Sequence, residues 1–327
     1  AQYSNTLVTD LLNLDKVEAT PEAALVTSVW MYIVHKLYEV TRACQDNSGS
    51  SKMQQSLDIA AALWIGVDQE EGDIDSGNML YNLAQRAGEH FGQGLGETTA
   101  NSLIIEAFNK VQLDIENEIC ENKHPDAYIS LRSKIHDLIG YMTIPLIQRF
   151  IHHIMYPESS NENADFIELY ALSIGARVAA CEPSSYLSMI NLFVGNDFKE
   201  SSQDQAIQLL HSIYSCVQVT CDQVGVYRDD IPECIDAPDG EKVEYAGYPQ
   251  TFDVSLPSRI DRDILQIKIL TETRAYEAAL DYYTNGYNSD VSLQDIATSP
   301  GRAKIGKVFD AFATYFSGPN SDPNYAD

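Results

Sequence analysis

The sequence predicts an all-α protein, built as a tandemly duplicated multi-helix unit in a bundle-like or solenoid-like array, with one irregular loop inserted. Three observations carry this. Apolar residues recur at three- and four-residue steps in nearly every segment, alternating strand-like runs are scarce, and short words return in the same order farther along the chain. With 44% apolar residues over a length of 327, the chain has ample material for a packed core.

Taken in order, Thr20-Pro21-Glu22 reads as an N-cap, a proline in the first turn and an acid placed for the helix dipole, opening a helix to about Cys44. Ile104, Phe108, Val111, Ile115 and Ile119 form one apolar stripe, and Leu210, Ile213, Val217, Cys221 and Val224 form another. Ser202-Gln203-Asp204-Gln205 has the spacing of a capping box at the start of that second striped helix. Pro145 falls inside an otherwise helical stretch from about 130 to 156 and should kink or split it. The segment from Tyr227 to Phe252 is rich in Pro, Gly, Asp and Glu; it reads as a loop, and any strand is expected there.

The repeated words are Ser130–Ile135 with Ser255–Ile260, and Ala62-Leu63-Trp64-Ile65-Gly66 with Ala171-Leu172-Ser173-Ile174-Gly175. Ser76, Asn82 and Leu83 meet Ser185, Asn191 and Leu192 at the second offset, and Glu97-Thr98-Thr99 anticipates Glu200-Ser201-Ser202. The expected organisation is a first helical repeat over 1–126, a second over 127–226, and the loop insertion over 227–256. C-terminal helices over 257–316, among them a long one to about 285, then pack on the second repeat and precede a mobile tail, 317–327.

Charge narrows the partners. With 48 acidic against 21 basic residues the formal net charge is −27, a surface that repels nucleic acid and anionic bilayers and concentrates cations. No run of 18 apolar residues is present, so no membrane insertion is expected. Six cysteines in an even, scattered set without a C-x-x-C pair suit disulfides in an oxidising compartment; Cys216 and Cys221, five apart on one expected helix, should not pair with each other. Together with a start at Ala1 that suggests a removed leader, they place the protein as secreted, periplasmic or at the cell surface.

Chemistry has few footholds. Nucleophile-elbow, zincin, P-loop and dinucleotide motifs are all missing, and no catalytic residue is assigned. The single E-x-x-H, Glu121 to His124, is followed by Pro125 and so falls at a helix end, not in a di-iron bundle core. Two acidic groups are candidate metal ligands. Glu118, Glu121 and His124 would lie along one side of the last turns of a helix, a hard-donor set suited to iron. Asp68, Glu70, Glu71, Asp73 and Asp75 crowd a loop between Gly66 and Gly77, where mutual repulsion would favour a bound cation, iron or alternatively Ca²⁺, although the spacing is not that of an EF-hand. The plainer readings are a solvated helix terminus and a polar surface loop. Glu89-His90 and His152-His153 are adjacent pairs that diverge around a helix, and His35 with Glu39 is an ordinary i, i+4 pair.

Leu63-Trp64-Ile65-Gly66, the acidic glycine loop, Ser76-Gly77-Asn78-Met79-Leu80-Tyr81-Asn82-Leu83-Ala84-Gln85-Arg86 and, later, Ile144-Pro145-Leu146-Ile147-Gln148 resemble stretches of the algal iron-assimilation proteins, a periplasmic family induced by low iron and, in some members, by high CO2. The resemblance spans most of residues 20–226. It implies an extracytoplasmic protein that concentrates iron at the cell surface for membrane uptake components, without turnover chemistry, and that uses acidic E-x-x-E motifs, which here fall on Glu118 and Glu121. The loop from Asp68 to Asp75 departs from the family's Gly/Ser-rich version by its extra acids. The alternative, from a different class, is a structural or adhesive acidic surface protein with weak divalent-cation binding.

Overall fold

The structure is a computed structural model, and it describes residues 2–16, 18–46, 49–92, 96–120, 125–155, 161–195, 198–227, 234, 244–245, 248–249, 260–272, 274–289 and 292–298. The chain divides into two compact units, residues 1–250 and 251–327. The fold is all-α. Among the described residues the only strands are β1 (Glu244–Tyr245) and β2 (Tyr248–Pro249), an antiparallel pair with Tyr245 opposite Tyr248, inside the expected insertion.

In the first unit, α1 (Gln2–Asn13) leads to α2 (Ala19–Ala23), a π-helical turn Ala24–Val29, and α3 (Trp30–Gln45). Thr20 does not cap this helix as expected. It lies one residue inside, and its hydroxyl instead donates to the Lys16 carbonyl at 2.7 Å. Then follow α4 (Ser50–Ile65), α5 (Leu80–Glu89) and α6 (Thr99–Glu116). Ile104, Phe108, Val111 and Ile115 are buried on α6 as the stripe predicts. A disulfide between Cys44 and Cys120 ties the end of α3 to the turn after α6.

Pro145 splits its helix. α7 (Pro125–Tyr141) stops before it, and α8 (Ile144–Met155) starts with it in the first turn, where no amide hydrogen is needed. Next come α9 (Asn161–Cys181), α10 (Pro183–Phe193) and α11 (Gln203–Val217). The second stripe is not one helix: Gln218 turns left-handed (φ 62°), and a short α12 (Cys221–Val224) restarts beyond it. The expected capping box does not form: Ser202 makes no side-chain cap on α11, while Thr220 and Gln223 cap α12 reciprocally. Cys221 pairs with Cys234, and Cys216 is disulfide-bonded as well.

The helix order α4–α5–α6 recurs as α9–α10–α11, and Glu97-Thr98-Thr99 and Glu200-Ser201-Ser202 each lead into the third of these helices, but other matched words do not occupy equivalent places, and a tandem duplication is not shown. Gly66 ends α4 with φ 84°, whereas Gly175 lies inside α9 with an ordinary helical backbone. Asn82 is buried near the start of α5, whereas Asn191 is exposed near the end of α10. Residues 255–259 of the other repeated word lie outside the described residues, as does the tail from 317.

The second unit contains α13 (Ile260–Glu272), α14 (Tyr276–Asn285) and α15 (Leu293–Thr298). The single long helix expected to about 285 is interrupted, with Arg274 in the left-handed region (φ 61°). Fully buried Asp263 fastens this unit, accepting from the backbone amides of Tyr287 and Asn288 and from the Asn288 side chain at 2.8–3.0 Å.

At the centre of the first unit sits α8, whose side chains are buried almost all round. Arg149 on this helix makes a two-pronged ion pair with Glu22 of α2 (3.0 and 3.2 Å), and the hydroxyl of buried Tyr170 on α9 donates to the same carboxylate. His153 packs flat on Phe166, ring centres 4.5 Å apart, and its Nδ1 lies 2.8 Å from Asn163 Oδ1. The Asn163 amide nitrogen is occupied by the His153 carbonyl, so Nδ1 carries the proton and the neutral ring keeps a buried, unpartnered Nε2.

Two outcomes follow from this centre. Replacing Glu22 with Gln strands a buried guanidinium, and urea denaturation should show a loss of about 3 kcal/mol. Burial, and after it the charge of Arg149, pushes His153 down to about 3. The unfolded chain therefore takes up a proton below its ordinary pKa of about 6.5 that the folded chain refuses. Stability from this group is complete above that pH and falls by about 1.4 kcal/mol per unit toward the folded value. His153→Gln should make the stability–pH curve between pH 6.5 and 4.5 shallower by close to one proton.

Candidate functional site

The acidic loop between α4 and α5 is the site the sequence points to most directly, and all of its residues are described. Its path is set by glycines and neutral amides. Gly66 and Gly77 have φ of 84° and 66°; a Cβ on the first would come within 2.7 Å of the Met79 side chain, and on the second within 2.6 Å of Gln69. The Gln69 amide nitrogen shares its hydrogens among the carbonyls of Glu70 and Asp73 and the Ser76 hydroxyl, at 2.7–2.9 Å. Ser76 in turn accepts from the Glu70 amide at 2.8 Å.

The loop is fastened to the helices below it by a buried polar chain. Asn82 on α5 donates to the carbonyls of Ile74 and Ser76 (2.7 and 2.8 Å). One turn on, Gln85 donates to Gly96 and, at 3.3 Å, to Gly72, and accepts from the Thr98 amide and from Asn101. Asn101 also reaches the Tyr81 carbonyl and accepts from the indole of Trp64 at 3.2 Å. Tyr81 accepts from the Gly72 amide and donates to Glu97, both at 3.0 Å. Burial, the largest cause, and Glu97 beside it push its phenol up to about 12, so Tyr81 is a proton donor at neutral pH and not a phenolate ligand. The sequence reading missed this network. The only trace of it is Asn82 and Gln85 three apart on a helix face that the neighbouring apolar residues mark as buried.

The carboxylates point the other way. Asp68, Glu70, Glu71 and Asp75 are exposed, and Asp73, half-buried, accepts the Asp75 amide at 3.0 Å. The loop therefore holds its acids on an ordered frame without drawing them together: among the described residues no three His, Cys, Asp or Glu side chains converge to hold a metal ion.

Of the second predicted set only Glu118 is described: α6 ends at Glu116, and Glu118 takes a left-handed backbone (φ 54°), outside that helix. Glu118 is exposed; Glu121 and His124 lie outside the described residues. His35 and Glu39 form the ordinary helical pair expected, at 3.3 Å, with Lys36 on the same carboxylate at 2.8 Å.

One grouping was not anticipated from the two adjacent His-containing pairs. His90, at the end of α5, stacks on His152 of α8 with ring centres 3.8 Å apart and planes 12° apart. His152 Nδ1 lies 3.2 Å from the Tyr227 hydroxyl. No helix among the described residues is long and apolar enough to cross a membrane. Comparison with protein families, with curated proteins and with solved structures finds no match to this chain.

The frame of the loop is testable apart from any ligand. Asn82→Ala removes two buried bonds to the loop, and we expect about 2 kcal/mol lower stability in urea. Amide exchange should rise over 70–77 while α6 stays protected.

Proposed function

We propose that this protein collects iron at an extracytoplasmic surface and holds it loosely for hand-over to membrane uptake components, with no turnover chemistry. The observation that carries the reading is the loop: an ordered, neutral frame presents the carboxylates of Asp68, Glu70, Glu71 and Asp75 outward to solvent. Carboxylate oxygens are hard donors suited to iron, and acids splayed on a fixed frame exchange an ion quickly, whereas a closed cage would retain it. A formal charge of −27 raises the local cation concentration, and cross-linking by disulfides fits an oxidising compartment. The resemblance to algal iron-assimilation proteins supplies the choice of iron over other hard cations. The Glu118–Glu121–His124 group is the second place where such an ion would be held. An acidic surface coat binding Ca²⁺ weakly is the alternative, and the separation of the loop carboxylates favours it to the extent that binding proves weak and unselective.

Iron titration at neutral pH, with a weak chelator to suppress hydrolysis, distinguishes these readings. Neutralising the loop (Asp68→Asn, Glu70→Gln, Glu71→Gln, Asp73→Asn, Asp75→Asn) should lower the affinity about tenfold or more, and wild-type affinity should fall as pH drops toward the carboxylate range of about 4. Glu118→Gln with Glu121→Gln tests the second group in the same assay. Unchanged affinity in both variants removes these residues as ligands. The absence of saturable iron binding by the unaltered protein would overturn the reading in favour of the coat.

A further inference from the structure

Three imidazoles gather where α5 ends against α8. His90 and His152 are stacked, buried His153 lies 5.3 Å from His152, and Tyr227, just beyond α12, bonds His152 and packs edge-on against Phe91 at 5.4 Å. An imidazole lone pair lies in the plane of its ring. Two nearly parallel rings 3.8 Å apart cannot aim their lone pairs at one ion, so this stack is not a chelate. What it responds to is protons: a stack of two neutral rings, or of one neutral and one charged, is attractive, whereas two imidazolium rings face to face repel.

We infer that the His90–His152 stack, capped by Tyr227, is an acid-sensitive clasp holding the end of α5 and the segment after α12 against α8, and that it opens when both rings are protonated. The clasp joins elements far apart in sequence, alongside the Phe91–Tyr227 ring contact and the Gln148 bond to the Val224 carbonyl. Among the described residues, the charged or titratable groups near the pair along their own elements are Arg86 and Glu89 on α5, Arg149 and His153 on α8, and Asp222 in α12, while Tyr227 and His153 contact His152 directly. Arg149 is engaged by Glu22, and Glu89, exposed beside His90, is the carboxylate nearest in sequence. His153 remains neutral well below the range in which exposed histidines titrate, so the α8–α9 joint outlasts the clasp and the opening is local.

Hydrogen exchange of the full-length protein, corrected for the intrinsic pH dependence of the chemistry, reads the opening. Exchange over 88–92 and 225–227 should rise about tenfold per pH unit below 6.5 while one extra proton drives it, with 144–151 unchanged. His90→Phe keeps a flat ring on His152 but takes no proton, and should abolish that pH dependence. Flat corrected exchange in the wild type, or acid opening of His90→Phe equal to wild type, overturns the inference. Should His90→Phe fail to fold, the histidine proton resonances of the wild type decide. Titration of the stacked pair in two steps more than about one pH unit apart supports the clasp, and a single common midpoint overturns it.

Discussion

Helix α8 has almost no solvent face, and each polar side chain it carries must therefore find its partner inside the protein. Gln148 donates to the Val224 carbonyl, Arg149 takes Glu22, His152 takes Tyr227, and His153 takes Asn163. Each of these partners lies on a different element, from α2 near the amino end to the segment beyond α12. The burial of one helix thus dictates where several others must sit, and it does so through directional bonds that apolar packing alone would not supply. Arg177 from α9 acts likewise at the joint where Pro145 separates α7 from α8, donating to the Ile139 carbonyl at 3.1 Å and to the Thr143 hydroxyl.

The same division between an uncharged interior and a charged exterior organises the acidic loop. A chain this acidic cannot stabilise a loop of five carboxylates by pairing each with a base, because bases are too few. The backbone is instead held mostly by groups without charge, Gln69, Ser76, Asn82 and Gln85, with Asp73 accepting the Asp75 amide, and the other loop carboxylates are left to water and counter-ions. Neutral amides make this frame insensitive to pH and ionic strength, while the acids above it remain responsive to both. An ordered loop with exposed acids gives the proposed cation collection a physical basis, while the choice of iron rests on the resemblance.

Periodicity made much of the fold legible. The α6 stripe, the split at Pro145 and the strand pair inside the Pro/Gly-rich insertion all follow from local rules that tertiary contacts did not override. Caps were less legible, because packing decides them: Thr20 bonds the Lys16 carbonyl one turn back, Ser202 makes no side-chain cap on its helix, and the reciprocal box forms at Thr220 on the next one. The repeated words do not establish a duplication for a related reason. Short apolar words recur wherever helices need the same face, so Gly66 at a helix end and Gly175 in mid-helix look alike in sequence and differ in backbone.

The candidate site divides along the same line. Its acids were visible as composition, since charge is a property of single residues. Its frame was not visible, because Trp64, Asn101 and Gln85 are brought together by folding and no spacing rule connects them. The histidine stack is the extreme case: two adjacent His-containing pairs that diverge on their own helices meet because α5 and α8 cross at one end. Sequence can say which side chains are able to titrate or ligate; only the crossing of helices decides which of them confront each other. In this protein that crossing brings together imidazoles that respond to protons, and the loop holds apart carboxylates that respond to cations, so the two kinds of sensitivity occupy separate places on α5, one at each end.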